Sequence, residues 1–423
     1  MIARLLAFLL LLVAGVPAAA ETIIVHAGHL IADASRPVQG PSTITIVDGR
    51  IQSVTAGLTP APDGARLIDL SNRTVLPGLI DMHVHLSGDP GQDYRQEAVD
   101  TDEYATLVGV KNARVTLRAG FTTVRDLGSA SQVGFALSRG TREGLFPGPR
   151  IIAAGPAISI VGGHGDVSGF RPEVIAALSG RNTCTGATEC AGRVRELARS
   201  GAQVIKFTAT GGVLSQQAGG LEAHFTDEEM RAIVTTSHSL GLRVAAHAHG
   251  ARGIEAAARA GVDSIEHGTF ADAAAIRAMR ASGSVLVPTL MAFTGVRESL
   301  AQNRFTPTVA AKAREALSHL GEAARAARAA GVPVIFGTDA GVFPHGRNGE
   351  EFAQLVQYAG MSPTEALASA TTGAARLLGM ENEVGRIVPG FSADMIAVEG
   401  NPLVDVRALQ HVGFVMVRGH IAD

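Results

Sequence analysis

From about residue 77 to residue 380 the chain alternates short β-rich runs with alanine-rich helical stretches, and eight such runs can be counted. They are LIDMHVH (79–85), FTTVRDL (121–127), RIIAAG (150–155), QVIKFTA (203–209), RVAAHAH (243–249), SIEHG (264–268), VLVPTL (285–290) and PVIFGTD (333–339). Several are entered through RAG, RSG, RAAG or ASG, the pattern of a helix that ends in glycine before a strand. AGRVRELARS, TDEEMRAIVTTSHSL (with Thr226 as cap) and ARGIEAAARA read as helices. Eight strands with helices between them describe a (β/α)8 barrel, the TIM-barrel α/β class. A chain of 423 residues, 46% of them apolar, accommodates one such barrel with additions.

The additions sit at the two ends. Residues 22–75 alternate apolar and polar positions around Gly and Asp turns, and the last forty residues behave alike. The expectation is a composite β-sandwich domain, 21–76 with 381–423, beside a barrel over 77–380. The first twenty residues differ again. Arg4, an almost wholly apolar stretch over 5–16 and Ala18-Ala19-Ala20 make a secretory signal peptide, too short for an ordinary membrane span. The mature chain is expected to begin near Glu21 and to be exported, periplasmic or secreted, without stable membrane insertion. Basic and acidic residues number 36 and 39, and no block of like charge points to nucleic acid or an anionic membrane. In an exported chain, Cys184 and Cys190 read as a local disulfide. A metal pair lacks further ligands nearby, and two free thiols remain an alternative.

The awkward polar residues fall at strand ends. His83 and His85 close the first run, Lys206 lies in the fourth, His247 closes the fifth, His267 the sixth and Asp339 the eighth. Active sites of such barrels sit at the C-terminal ends of the strands. Residues i and i+2 of a strand share a face, so His83 and His85 point the same way. One histidine at a strand end is ordinarily just hydrogen-bonded or solvated; six ligand-type residues at one barrel mouth are not coincidence. Imidazoles and carboxylates suit zinc or a similar divalent ion. His83, His85 and Asp339 would hold one ion, His247 and His267 the other. A buried Lys206 that is neutral can react with carbon dioxide, and its carbamate (N6-carboxylysine) would bridge the two ions. An ion-paired or snorkelling lysine is the alternative.

HVH, VIKF, AAHAHG, EHG and GTDA, in this order, resemble the metal-dependent amidohydrolase superfamily. In detail ISIVGGHGD, FTATGGVLS and VAAHAHGARGI resemble its branch related to imidazolonepropionase and Xaa-Pro dipeptidase. Bacterial ochratoxin A-hydrolysing amidohydrolases are similar too. The resemblance covers the mature chain. It implies that His83, His85, Lys206, His247, His267 and Asp339 are metal ligands, with Lys206 carboxylated. It implies hydrolysis of the amide bond of N-acyl amino acids or dipeptides, including ochratoxin A to ochratoxin alpha plus phenylalanine. The nucleophile would be a hydroxide shared by the ions, and Asp339 would accept its proton and pass it to the leaving amine. It also implies a homo-oligomer, up to an octamer.

Substrate contacts are read more loosely. His164, in GGHGD, sits where a glycine-rich turn could bring its ring over the ions, against the alternative of a turn-making loop histidine. His249 lies on the same strand face as His247, just beyond the end. Ser87, His224, His345 and Arg347 could also line the pocket, Arg347 or the TGG backbone at 210–212 meeting a substrate carboxylate. Competing functions are a single-metal deaminase or cyclic-amide hydrolase, a lactonase, and a non-catalytic barrel. The first typically lacks the strand-four lysine and often carries Glu where Gly250 stands; the last would be expected to lack ligands.

Overall fold

The computed structural model describes residues 21–90, 99–179, 182–216 and 220–422; the predicted signal peptide lies outside the described residues. The chain opens with β1 (Thr22–Leu30), β2 (Ser42–Val47), β3 (Arg50–Ala56) and β4 (Arg66–Pro77). It then enters the barrel through β5 (Leu79–Val84), β6 (Phe121–Asp126) and β7 (Arg150–Ala153), which pair in parallel. A second parallel set follows: β8 (Val204–Thr208), β9 (Arg243–Ala248), β10 (Ser264–His267) and β11 (Val285–Val287).

Three isolated bridges carry the ring past these two sheets. Ile158 pairs with Phe207, Val334 with Leu286, and Ala340 with Val84, each in parallel. The eight runs therefore follow one another around a (β/α)8 arrangement. Two of them depart from the regular strands expected. The seventh stops at Val287, because Pro288 has no amide hydrogen to donate and Thr289 turns to φ 49°. The eighth has bridges at Val334 and Ala340 with backbone hydrogen bonds between them, and its Gly337 passes so close to Val287 that a Cβ would collide with it. Helices fill the intervals. Thr226 closes a reciprocal capping box on Asp227–Ser239, and Ala251–Ala260 ends at Gly261, whose φ of 93° suits glycine.

The chain returns to its start with β12 (Met395–Val398), β13 (Val412–Val417) and β14 (His420–Ile421). Hydrogen bonds join all seven terminal strands into one sheet, in the order β14-β13-β12-β4-β1-β2-β3. The sheet curls until its ends meet: Ala393 N–H donates to Gly49, and Gly419 N–H to Ala393. Alternate residues Ile23, Val25 and Ala27 of β1 then face Met395, Ala397 and Met416 across a core of their own. The packing is that of a sandwich, although a single sheet supplies both faces.

Candidate metal centre

The last residues of the barrel strands are held by hydrogen bonds that decide which ring nitrogen faces inward. His83 Nδ1 donates to Glu266 Oε2 at 2.9 Å and His85 Nδ1 to the Gly128 carbonyl at 2.9 Å. A carboxylate and a carbonyl only accept, so both Nε2 atoms carry bare lone pairs. They lie 3.3 Å apart, and Asp339 Oδ1 stands 3.3 Å from His85 Nε2 and 3.5 Å from His83 Nε2. With both rings neutral, three acceptors converge and repel one another unless a cation joins them. Burial lowers the His85 imidazole, but the hydrogen bond and charge of Asp339 outweigh it and raise it above its usual value, so positive charge is favoured at this point. His267 closes β10, and Thr289, just past β11, donates its hydroxyl hydrogen to the Pro288 carbonyl and so accepts from His267 Nδ1 at 2.7 Å, leaving His267 Nε2 free to ligate. His247 is reversed: its Nε2 donates to the Gly211 carbonyl at 3.3 Å, which exposes Nδ1.

Two groups emerge whose ligand atoms could hold a metal: His83 with His85 and Asp339, and His247 with His249 and His267. They adjoin, since the His83 and His267 ring centroids are 5.0 Å apart. Lys206 reaches the same place, with Nζ 3.4 Å from His83 Nε2. Burial lowers its ammonium to about 8, within reach of the neutral amine. Burial also holds His247 and His267 well below the usual histidine range and brings His83 to about 4, so these rings are neutral. Burial pushes the Asp339 carboxyl up, but the His83, His85 and His267 rings beside it keep it well below its usual range. His267 (φ 69°) and Asp339 (φ 62°) both adopt left-handed backbone, a strain that the surrounding bonds sustain.

Those bonds come from residues the strand-end pattern passes over. Glu266 is fully buried between His83 and Arg125, whose guanidinium donates to Glu266 Oε1 at 2.9 Å, to Ser264 Oγ and to the Met82 carbonyl. Burial would raise Glu266, but Arg125 and His83 hold it at about 2. Asp81 accepts from the backbone N–H groups of His83 and Thr338 and from the side chains of Thr338 and Asn348, locking β5 to the eighth run. A signal for the first pair was present in the sequence: Arg125 and Glu266 are opposite charges within short β-rich runs, where a buried charge needs a partner.

The two groups open into a cavity of about 310 Å3. His164 lines it, its ring centroid 4.3 Å from that of His247, with Nδ1 buried and without a hydrogen-bond partner. His249 lines it as well, Nδ1 bonded to Thr269 Oγ1 at 2.8 Å. The remaining wall is apolar: Val213, Leu214, Phe293, Val296, Ala316 and Val342. Four expected pocket residues are placed elsewhere. His345 lies beneath the loop, its Nε2 against the carbonyls of His85 and Gly88, so it braces the HVH segment. Arg347 is neutralised by Glu298 and Glu350, which corrects its reading as a carboxylate anchor. His224 packs behind Gly211, and Ser87 is not among the lining residues. Cys184 and Cys190 are joined as a disulfide.

A parallel α/β ring with ligand-type side chains gathered at one mouth defines a metal-dependent hydrolase scaffold. The Amidohydrolase family profile matches residues 74–422, and the chain belongs to that family. Ochratoxinase of Aspergillus niger is 31% identical over 413 residues, which is 92% of this chain and 84% of that protein. Imidazolonepropionase of Cereibacter sphaeroides is 28% identical, over 84% and 87% of the two chains. The crystal structure of a Xaa-Pro dipeptidase with methionine in its active site superposes with a TM-score of 0.87 at 38% identity, covering 95% of this chain and 99% of the other.

Proposed function

We propose that this enzyme is a two-metal amide hydrolase acting on N-acyl amino acids or dipeptides that carry large apolar groups. The observation that carries the reading is the inward convergence of acceptor atoms in two adjoining groups around Lys206. His83, His85 and Asp339 would hold one ion, and His247 with His267 the other, both most simply zinc. A carbamate on Lys206 would bridge them, and its lowered ammonium favours the amine that reacts with carbon dioxide. Ions bound there would supply an acidified water near neutral pH and polarise the scissile carbonyl. The ionised Asp339 carboxylate takes up a proton and returns it to the leaving amine. His164 is kept neutral by burial, which lowers it to about 3, so it acts as an N–H donor to the carbonyl oxygen.

The substrate class rests on the apolar wall and on the relatives, one an ochratoxinase and one a Xaa-Pro dipeptidase. Ochratoxin A, cleaved to ochratoxin alpha and phenylalanine, belongs to that class. Residues 1–20 act as an export signal, in keeping with a disulfide suited to an oxidising compartment. Among the described residues no helix is long and apolar enough to cross a membrane. The mature chain assembles into a homo-oligomer, and Tyr104 and Leu107 offer exposed apolar area on one helix face. A hydrolysis screen of N-acyl amino acids, dipeptides and ochratoxin A with metal-replete enzyme tests the function; release of no amino acid from any of them would reject it. Lys206→Ala should lose metal and activity together, and a variant keeping two ions and full turnover would refute the bridge.

A further inference from the structure

Lys312 sits in the helix Pro307–Ser318 and is almost fully buried, far from every ligand in sequence. Its Nζ donates to the Gly212 and Ser215 carbonyls, each at 2.7 Å, while Ser215 Oγ closes the same turn onto the Gly212 carbonyl at 2.9 Å. One residue before the helix, Thr306 Oγ1 reaches Gln216 Oε1 at 3.0 Å. The turn so fastened has two faces. Val213 and Leu214 form part of the cavity's apolar wall, and they cluster with Phe293, Val296 and Ala316 apart from the main core. Gly212 lies against the His164 ring so closely that a Cβ there would fall within 2.5 Å of three ring atoms. An ammonium buried inside an apolar cluster gives up its hydration, and fastening this turn is what it gains in return.

We infer that Lys312 is a positioning residue for substrate selection: by holding the Gly212–Ser215 turn it fixes the part of the apolar wall formed by Val213 and Leu214. The inference rests on the hydrolase function proposed for this site. Without the ammonium, the Ser215 carbonyl loses this donor and the Gly212 carbonyl keeps only Ser215 Oγ, so the turn loosens. The wall then loses its fit to bulky groups, whereas a small substrate that never touches Val213 or Leu214 is indifferent.

The test uses the mature, metal-replete enzyme with Lys312→Met, which keeps the length of the side chain and removes its donors. Two substrates are compared, N-benzoyl-L-phenylalanine, bulky on both sides of the amide, and N-acetyl-L-alanine, small on both. The expected result is a rise in KM for the bulky substrate of about tenfold, the order of one lost buried contact. The small substrate should change less than about threefold, and the metal content should stay constant. Val213→Ala should shift selectivity the same way, and the double variant should exceed the larger single effect only slightly, since both act through one turn. Equal losses for both substrates, or fully additive effects, would overturn the inference. Hydrogen exchange supplies a readout independent of activity: amides 211–216 should exchange faster in Lys312→Met while Ala251–Ala260 is unchanged. If the wild-type enzyme hydrolyses neither substrate, the proposed function fails and exchange alone decides whether the clamp exists. If Lys312→Met does not fold, Lys312→Arg, which keeps donors, must preserve the selectivity.

Discussion

Replacing Glu266 with Gln would remove the one carboxylate that joins Arg125 to His83, with almost no change in volume. Both of those bonds are 2.9 Å long, Ser264 Oγ donates a third to Glu266 Oε1 at 2.5 Å, and the side chains of His83, Arg125 and Glu266 are buried. The amide has one oxygen and one NH2 where the carboxylate has two oxygens. Whichever way it flips, an N–H is forced against another N–H, on His83 or on Arg125. If the oxygen stays with Arg125, His83 loses the acceptor that fixes its tautomer, and Nε2 no longer presents a dependable lone pair. Outer partners of ligating histidines typically change metal affinity by about 10- to 100-fold, or about 1.4–2.8 kcal/mol. If the oxygen turns to His83, the Arg125 guanidinium is left without a counter-charge. Breaking such a buried pair costs about 3 kcal/mol of folding stability, the low end of its range because one hydrogen bond survives. Competition with a chromophoric chelator measures the first effect and urea unfolding of the metal-free protein the second. A Glu266→Gln protein with metal affinity within about twofold of wild type and an unchanged urea midpoint would refute the reasoning.

Exchange of His164 for Ala should lower turnover by about 10²–10³-fold with two ions still bound, as for loss of one donor to a developing oxyanion; loss of metal, counted by mass spectrometry, would instead make it a ligand. The metal-free protein should lose stability as the pH falls. Burial lowers His83, His249 and His345 to about 4, below their value in the unfolded chain, so the unfolded state binds more protons under acid conditions. Their contribution is complete above about pH 6.5 and declines toward pH 4, each adding a slope of about 1.4 kcal/mol per unit. Asp81 and Asp126, whose carboxyls burial raises to about 6, offset it in part below about pH 6. A urea midpoint that rises across that window as the pH falls would contradict neutral buried imidazoles. Serine at both Cys184 and Cys190 should cost about 2 kcal/mol, the loop-closure value for a short cross-link, read from denaturant unfolding under non-reducing conditions.

The barrel was legible because its strands announce themselves twice, by short β-rich runs and by glycine-ended helices before them. The same regularity made the mouth legible, since a strand's end is a position in space as well as in sequence. His83, His85, Lys206, His247, His267 and Asp339 stand close together because six strand positions point to one rim. Loops give no such rule. His345 follows Asp339 by six residues and yet turns beneath the HVH segment, and Arg347 turns outward to two carboxylates. Nearness along the chain located both wrongly, because a loop's direction is set by its own turns.

What stayed hidden is what fixes the rim residues in place. Arg125 and Glu266 come from strands 141 residues apart, and Lys312 reaches Gly212 across 100. Arg125 and Glu266 are charges within short β-rich runs, and that is a readable oddity; Lys312, in a helix that also carries Arg314 and Glu315, shows none. The sequence shows that such a charge must be paired, while only the fold says with what. The same logic ranks the residues by consequence. A proposed ligand such as His85 can be read from its strand and tested by metal content alone. Glu266 and Lys312 touch neither the carbonyl nor its leaving group, so their substitution must be read through a tautomer or a loop. For that reason metal affinity and substrate selectivity, and not bare activity, are the measurements that separate their roles from general damage to the fold.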